Sequence, residues 1–350
     1  MTLPESEVER PSGGQAWSSF SCGSSPRSVR ARYFTRGTAA MGRRRCSGRR
    51  SALAAPAPSR PFSFGSYVRM SAADLGTLRD VLQDVVRRLG LGADAIVEPA
   101  SGGASGSAWM VRDRGISFVL RLGSSTSLTD GRLAAMAAAR AGGLPVPELI
   151  RRTAALDGDA VLLSWLPGTS LHAALLADPA GTRRLGRLMG ESQRQLHQIV
   201  GPAELIDVAG DRNHPFVAAR GMSDLPEGDA LLHLDWHPMN LLVDKTQRIS
   251  GIVDWDNARR GHPTLDLART HSLLTVEPSL ASLPMKLRAR VGELVDAWAD
   301  GYGPEATAIP AACHAWAGRV MIADLEPRYA DDPAALDGLR RWTEGWQART

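Results

Sequence analysis

The stretch LLHLDWHPMN, residues 231–240, constrains this chain more than any other part of its sequence, because four chemically active side chains stand there between apolar residues. His233, Asp235 and His237 alternate along the chain, and alternate residues of an extended segment point to the same side. Two histidines and a carboxylate on one side suit a zinc ion. The residues that follow indicate a different chemistry.

Those following residues, LLVDKTQRISGIVDWD, have the pattern of a β-hairpin. Two mainly apolar runs, at 241–244 and 249–254, flank the polar loop KTQR, and such a loop between two strand-like runs predicts an antiparallel pair. We predict that Asp244 pairs with Ile249. This register then extends to the open end of the hairpin.

At that open end, the register places Asn240 opposite Val253 and beside Asp254. An amide oxygen and a carboxylate side by side suit Mg²⁺, which keeps several waters and takes its remaining ligands from substrate phosphates. Asp235 is five residues before Asn240, so a tight loop can hold it nearby. A carboxylate beside such a metal site can orient a hydroxyl group and accept its proton, which is what phosphoryl transfer needs.

The spacing of His233, Asp235 and Asn240 is H-x-D, four residues, then N, which is the spacing of the kinase catalytic loop. With IVDWD downstream and GHPTLDLA after it, the segment closely resembles the aminoglycoside phosphotransferase family, small-molecule kinases with a protein-kinase-like fold. The resemblance is specific over 231–268 and extends more weakly over most of 95–345.

The resemblance implies an α+β, two-lobed, protein-kinase-like fold, with a small N-terminal antiparallel sheet plus helix and a larger, mainly helical C-terminal lobe. The local patterns agree. AIVEPAS, SAWMVRD and ISFVLRL predict strands, with a hairpin turn at residues 113–115. TDGRLAAMAAARAGG predicts a helix that ends at glycine, and ELIRRTAAL and AVLLSWL predict two more strands before the sequence becomes mainly helical.

Carried over residue by residue, the resemblance implies that Asp235 is the catalytic base and that Asn240 and Asp254 are ligands of Mg²⁺, with ATP or GTP as the phosphoryl donor. Arg121 matches the cation on the third strand that clamps the phosphates. Further nucleotide contacts are expected from the glycine-rich stretch and from the hinge, at Ser101, Gly102, Gly103, Ser105, Ser164, Trp165 and Leu166. Structural support of the catalytic loop is expected from His233, His237 and Asp266.

The chain departs from the family pattern at the phosphate clamp. The folded part has no lysine before Lys245, so Arg121 keeps the charge of the usual lysine but not its shape. The usual partner is a glutamate on the following helix, yet Asp130 is the only acidic residue between 123 and 146, and it lies near the predicted helix start. Leu234 also stands where the family commonly has glycine.

Structural alternatives exist for several of these residues. The proposed base and metal ligands could be ordinary turn, hairpin and strand-end residues, although their spacing favours catalysis. His233 is expected to pack under the loop, whereas His237 could support the loop or contact phosphate. The glycine-rich stretch could be an ordinary turn. The acidic stretch 323–333 could be a solvated face or could attract a polycationic substrate.

Charge is distributed unevenly along the chain. Residues 1–70 contain 12 arginines and 3 glutamates, a net charge of +9, whereas the remainder contains 29 basic and 34 acidic side chains, a net charge of −5. We predict that 1–70 is a disordered basic tail, or lies upstream of the true start at Met70. We divide the rest into a nucleotide-binding lobe at 71–166 and a catalytic and substrate-binding lobe at 167–350.

The sequence therefore predicts a phosphotransferase that moves the γ-phosphoryl group of ATP or GTP to a hydroxyl of a small molecule, such as an aminoglycoside-type antibiotic. Two alternatives are a kinase of a sugar or amino-alcohol metabolite and a catalytically impaired nucleotide-binding protein, and a zinc hydrolase is disfavoured. Neither a nucleic acid nor a membrane is expected as a partner. The three cysteines offer no disulfide framework, which fits the cytoplasm.

Overall fold

The structure is a computed structural model, and it describes residues 72–100, 108–123, 126–155, 158–208 and 225–350. The predicted tail and four of the predicted nucleotide contacts lie outside the described residues. Those four are Ser101, Gly102, Gly103 and Ser105.

The first strands of the described chain form one five-stranded antiparallel sheet, in the order β1-β2-β3-β5-β4. The strands are β1 (Ile96–Pro99), β2 (Ala108–Asp113), β3 (Ile116–Leu122), β4 (Leu149–Ala155) and β5 (Gly158–Ser164). The β2–β3 hairpin turns at Arg114 and Gly115, whose φ angles are 49° and 81°. Two successive positive φ angles are what a two-residue type I′ turn requires, so the turn lies where the sequence predicted it.

Two helices, α1 (Ala72–Arg88) and α2 (Thr126–Ala141), cover opposite faces of this sheet. Alternate residues of a strand point to opposite faces, so the central strands β3 and β5 contribute to both cores. The core on the α1 face includes Val85, Leu89, Trp109, Leu120 and Leu162. The core on the α2 face includes Ala135, Met136, Ala139, Val161 and Leu163. Burying each leucine-sized side chain contributes about 1.5–3 kcal/mol, so β3 is firmly held at the centre of the sheet.

The remainder of the described chain is mainly helical, with short strands that frame the loops. Its elements are β6 (Thr169–Ser170), α3 (Leu171–Ala177), α4 (Thr182–Leu196), β7 (Ala230–Leu232), β8 (Leu241–Val243), β9 (Ile249–Ile252), β10 (Arg259–Gly261), α5 (Pro263–Thr275), α6 (Met285–Arg288), α7 (Val291–Tyr302), α8 (Ala311–Leu325) and α9 (Asp337–Gln347). Among the helices described, none is long and apolar enough to cross a membrane.

Two glycines allow α4 and α7 to pack closely. A Cβ atom at Gly190 would overlap the carbonyl oxygen of Trp298, and one at Gly301 would overlap that of Arg187. Trp298 is fully buried in this contact, and its Nε1 donates a hydrogen bond to Oε1 of Gln193 over 2.7 Å. The result is a rigid helical base beneath the loop that follows β7.

The β8–β9 hairpin has the predicted register at its open end. Leu241 pairs with Ile252, and the N–H of Val253 donates to the carbonyl oxygen of Asn240 over 2.9 Å. Asn240 therefore lies opposite Val253, and the residue after Val253 comes to the same end of the ribbon.

The prediction was wrong at the turn end of the hairpin. A bulge shifts the register, so that Ile249 pairs with Val243 instead of Asp244. Asp244 instead closes the turn, where its N–H donates to the carbonyl oxygen of Arg248 over 3.0 Å and its carboxylate accepts from the N–H of Thr246 over 2.8 Å. An aspartate that caps its own turn in this way leaves the ladder one residue early, so β8 ends at Val243 instead of Asp244. The second strand begins at Ile249 as predicted and ends at Ile252, two residues earlier than predicted.

Candidate active site

The loop between β7 and β8, residues 233–240, is held from below by the side chain of Asp266 on α5. The two carboxylate oxygens of Asp266 accept the backbone N–H groups of His233, over 3.0 Å, and of Leu234, over 2.9 Å. Asp266 is completely buried. A buried carboxylate with two backbone donors fixes the path of the loop at the residue before Asp235.

His197, at the end of α4, supplies a third donor to Asp266. Its Nε2 lies 3.0 Å from Oδ2 of Asp266, and its Nδ1 lies 2.8 Å from the hydroxyl of Tyr302. The neutral tautomer that donates to Asp266 accepts from Tyr302, so one imidazole satisfies both buried groups. Burial favours the neutral form of Asp266, but the hydrogen bonds from His197 and from the backbone N–H of His233 outweigh it, so the pKa of this carboxyl lies below its ordinary value.

Leu234 has a left-handed backbone, with a φ of 60°, and its side chain is fully buried. Left-handed φ costs a residue with a Cβ about 1–2 kcal/mol, and glycine, the residue common at this position in the family that the segment resembles, avoids that cost. Here the buried side chain offsets the strain. The carbonyl of Leu234 accepts from Nε of Arg269 over 3.3 Å, and Arg269 is paired through Nη2 with Asp324 of α8.

Asp235 stands at the mouth of this loop, with its side chain about one-fifth exposed (22%). Its Oδ2 accepts from Nδ2 of Asn240 over 3.0 Å, and its Oδ1 lies 3.4 Å from Nε2 of His237. Burial favours the neutral acid, but the hydrogen bond from His237 and the charge of Arg269 outweigh it, so the pKa of Asp235 is lowered. Asp235 is therefore ionised at neutral pH.

His237 supports the loop through its ring nitrogens. Its Nδ1 accepts the N–H of Met239 over 3.3 Å, so the proton of the neutral ring is on Nε2, facing Asp235. Burial lowers the pKa of His237, but the hydrogen bond and charge of Asp235 raise it by more, so the pKa lies above its ordinary value. Of the two roles considered from the sequence, this geometry favours loop support.

His233 lies beneath the loop and is fully buried. Its ring packs edge-on against Trp255, with centroids 4.9 Å apart, and against Trp236, with centroids 5.5 Å apart. Its Nε2 lies 3.1 Å from the carbonyl oxygen of Val253, and burial lowers its pKa, so the ring is neutral and donates to the residue that follows β9. The side chains of His233 and His237 are thus committed to different partners, which removes the geometric basis of a zinc site.

Asn240 and Asp254 both lie at the open end of the hairpin, where Asn240 is paired with Val253. The Nδ2 of Asn240 is occupied by Asp235, through the carboxylate and, over 2.9 Å, the backbone carbonyl. Its Oδ1 is left as the acceptor. Asp254 has a left-handed backbone with a φ of 63°, which turns the chain sharply after β9, and its side chain is 36% exposed. One amide oxygen and one carboxylate are the hard ligands that Mg²⁺ prefers.

No cluster of three or more His, Cys, Asp or Glu side chains suited to a metal occurs within the described part of the chain. Zinc sites rely on such clusters. Mg²⁺ is commonly held by one or two protein carboxylates together with substrate phosphates and water, so a pair such as Asn240 and Asp254 fits it.

Arg121, on β3, reaches the same end of the hairpin. Its Nη1 lies 3.2 Å from Oδ1 of Asp254, and its Nη2 lies 2.6 Å from Oδ2 of Asp256. Burial disfavours the charge of this guanidinium, but the two carboxylates outweigh burial and raise its pKa. Arg121, the predicted phosphate clamp, is therefore ion-paired with Asp254, a predicted metal ligand.

The acidic partner of Arg121 is on the turn after β9 rather than on the following helix. Asp130, on α2, is instead paired with Arg152 of β4. The partnership with Asp256 was missed from the sequence because 135 residues separate it from Arg121. The signal that could have found it is the D-x-D pattern of Asp254 and Asp256, which places a second carboxylate two residues beyond the predicted metal ligand.

The predicted hinge follows β5 directly. The Oγ of Ser164 accepts the N–H of Glu148 over 2.9 Å, and the N–H of Ser164 donates to the carbonyl of Glu148 over 2.9 Å. The side chain of Trp165 is 45% exposed. Leu166 is half-buried. Ser164 is thus the last residue of the interior strand β5, and the described residues do not include the glycine-rich stretch that would complete a nucleotide site.

A small antiparallel sheet followed by a mainly helical part is a protein-kinase-like α+β fold, and the chain is a phosphotransferase of this class. It belongs to the phosphotransferase enzyme family (APH), whose model matches residues 96–230 and 217–312. No curated protein sequence matches it.

Solved structures of aminoglycoside phosphotransferases share the fold. A thermostable mutant of APH(4)-Ia, in a ternary complex with ADP and hygromycin B, has a TM-score of 0.53 at 14% identity, over 76% of this chain and 98% of that one. A second complex of that enzyme, with AMP-PNP and hygromycin B, has a TM-score of 0.53 at 15% identity, over 77% of this chain and 100% of that one. An aminoglycoside-3'-phosphotransferase of type VIII has a TM-score of 0.51 at 17% identity, over 69% and 98%.

Proposed function

We propose that this phosphotransferase transfers the γ-phosphoryl group of ATP or GTP to a hydroxyl group of a small molecule. One observation carries the proposal: Asp235, held ionised, is hydrogen-bonded to Asn240 on the same end of the hairpin where Asp254 meets Arg121. A base, two oxygen ligands and a fixed cation are the parts that kinase chemistry requires.

In this proposal Asp235 orients the acceptor hydroxyl and receives its proton. Phosphoryl transfer leaves little covalent work for the protein, so positioning and electrostatics carry most of the acceleration. The low pKa of Asp235 makes it a weak base, but in a loose transition state the hydroxyl loses its proton late. The two neighbours that hydrogen-bond to Asp235, His237 and Asn240, fix the direction of its carboxylate.

Asn240 and Asp254 would hold Mg²⁺, which when bound neutralises charge on the phosphates of the donor. Asp254 faces Arg121 within 3.2 Å, so the two residues would meet the phosphates from neighbouring positions. Ser164, Trp165 and Leu166 are proposed to meet the nucleotide base at the hinge. The lobe division at residue 166 is proposed with them, since the hinge connects the sheet to the helical part.

For the acceptor we propose an aminoglycoside-type compound first, because the structures that share this fold include complexes with hygromycin B. Sugars and amino alcohols are the next candidates. An alternative function is nucleotide binding with impaired catalysis. The ion pair between Arg121 and Asp254 favours that alternative, because Arg121 occupies a carboxylate that the metal would need.

The test is a screen of hydroxyl compounds with the full chain, Mg²⁺ and either ATP or GTP, in which phosphorylated product is detected by mass spectrometry. We expect product with wild type and none above background with Asp235→Asn. Nucleotide binding without any product across aminoglycosides, sugars and amino alcohols would favour the impaired alternative. Product from Asp235→Asn at the wild-type rate would contradict the assignment of the base.

A further inference from the structure

We propose that Asp256 is the positioning residue for Arg121, the cation that would clamp the nucleotide phosphates, and that it replaces an acidic residue on the helix after β3. This inference rests on the proposed function, because it assigns Arg121 to the phosphates. Asp256 makes the shorter of the two contacts to that guanidinium, 2.6 Å to Nη2 against 3.2 Å from Asp254 to Nη1.

The burial of Arg121 makes an anchor necessary. Its side chain is only 10% exposed, and a guanidinium that is nearly removed from water needs a carboxylate partner in place of the lost hydration. Arg121 cannot relieve the cost by losing its proton, because arginine remains charged at any physiological pH. Its position is therefore set by whichever carboxylate holds it.

Of the two carboxylates, Asp256 is the one that lies outside the proposed metal site. If Asp254 ligates a metal ion, its charge is shared with that ion, and the ion repels the neighbouring guanidinium. The contact of Arg121 with Asp256 is independent of this competition. Asp256 would then keep Arg121 in place while Asp254 serves the metal.

The helix after β3 contributes a cation to this cluster. Nε of Arg132, on α2, lies 2.8 Å from Oδ1 of Asp256, so one carboxylate bridges two guanidiniums. Both guanidiniums are permanently charged, so the 2.6 and 2.8 Å contacts pair the carboxylate of Asp256 with two cations. Asp130, the acidic residue of α2 nearest to Arg132, is paired with Arg152 instead.

Asp256 is itself fixed by the turn on which it lies. Residues Trp255–Asn257 form a short 3₁₀ helix. The indole of Trp255 is buried, and its Nε1 donates to the carbonyl oxygen of Ile252 over 3.0 Å. The anchor of Arg121 is thus attached to the end of β9, two residues beyond Asp254.

The test compares Asp256→Asn with Asp130→Asn, which makes the same change at the other candidate acid. In Asp256→Asn we expect the nucleotide KM to rise roughly 10- to 100-fold, as for a catalytic group displaced by about 1 Å. We also expect the Mg²⁺ concentration for half-maximal activity to rise, because Arg121 is left with Asp254 alone. The KM for the acceptor should change less. Asp130→Asn should match wild type in all three quantities.

A double-mutant cycle separates positioning from a general structural effect. In an Arg121→Ala background, Asp256→Asn should no longer raise the nucleotide KM, because the residue that it positions is absent. Asp256→Glu keeps the charge and should retain a nucleotide KM closer to wild type than Asp256→Asn does. It also serves as the readout if removing the charge prevents folding, which thermal melting of each variant reports.

Three results would overturn the inference while the proposed function stands. They are a wild-type nucleotide KM and Mg²⁺ dependence in Asp256→Asn, equal effects of Asp256→Asn with and without Arg121, and an equal loss in Asp130→Asn. Failure of the proposed function looks different, since wild type itself would then give no phosphorylated product with any acceptor.

Discussion

Replacing Asp266 by asparagine tests whether this buried carboxylate holds the catalytic loop in place. Asp266 accepts three hydrogen bonds, two from the backbone N–H groups of His233 and Leu234 and one from His197. Asparagine keeps the shape but turns one acceptor oxygen into a donor NH₂. If its oxygen takes the place of Oδ2, its NH₂ faces the N–H of Leu234, and two buried donors are left without acceptors.

Each buried donor without an acceptor costs about 1–3 kcal/mol, so Asp266→Asn should lower the free energy of unfolding by roughly 2–6 kcal/mol. At about 2–4 °C per kcal/mol for a chain of this order of size, Tm should fall by roughly 4–24 °C. Because Asp235 follows Leu234 directly, we also expect kcat to fall on the order of 10²-fold. Differential scanning calorimetry and the phosphotransfer assay measure the two effects.

The matched control is Asp300→Asn, the same substitution at a side chain that is 54% exposed and whose Oδ2 lies 3.7 Å from Nη1 of Arg183. It should change stability by no more than about 0.5 kcal/mol. Wild-type melting and turnover in Asp266→Asn would refute the reasoning, since a loop that keeps its place without this carboxylate is not held by it.

The same variant should alter how stability depends on pH. The pKa of Asp266 is lowered in the folded state, so its ionised form stabilises the fold above the unfolded pKa of about 3.9. That contribution is lost as the pH falls through the lower folded pKa. The difference in Tm between wild type and Asp266→Asn should therefore be largest near neutral pH and should narrow in acid.

The other predictions concern the loop and the hairpin end. Asp235→Asn should lower kcat on the order of 10²–10⁴-fold, the usual effect of losing a positioned acid–base group. Nucleotide binding measured by calorimetry should stay near wild type, and a loss of binding would instead indicate that Asp235 is a metal ligand. Asp254→Ala should abolish Mg²⁺-dependent turnover and leave Tm nearly unchanged, and turnover that persists after magnesium is removed would contradict this. Arg121→Ala should raise the nucleotide KM and lower kcat, because its contact with phosphate strengthens as charge shifts in the transition state, and an unchanged nucleotide dependence would exclude it from the site. Leu234→Ala should destabilise the fold by about 2–5 kcal/mol through loss of buried volume. Leu234→Gly should destabilise it by no more than that, because glycine relieves the left-handed strain. Urea unfolding measures both free energies, and a much less stable glycine variant would show that the backbone at Leu234 is not strained.

Local pattern and spacing were enough to predict the elements on which the site is built. The H-x-D-x₄-N spacing indicated the loop, and the hairpin register correctly placed Asn240 opposite Val253. The predicted register is wrong beyond Leu242, where a bulge precedes the turn that Asp244 caps. Strand periodicity carries no information about such a turn.

Partners that are distant in sequence could not be predicted in the same way. Arg121 is 135 residues from Asp256, and Arg269 is 55 residues from Asp324. Each pair forms only because the fold brings two elements together, and strand or helix periodicity does not identify such a partner. The resemblance pointed to an acid on the helix after β3, where the sequence offers only Asp130, and the fold places Asp256 beside Arg121 instead.

The turn that carries both Asp254 and Asp256 has a consequence for how such a chain can be controlled. In protein kinases the acid that holds the clamping lysine is on a mobile helix, and displacement of that helix turns the enzyme off. Here the proposed anchor and the proposed metal ligand are two positions apart on one turn, so a shift of α2 would move Arg132 but would not withdraw the anchor. If the proposed clamp operates, its assembly would not depend on the position of α2, and the amount of protein rather than a helix movement would set its activity.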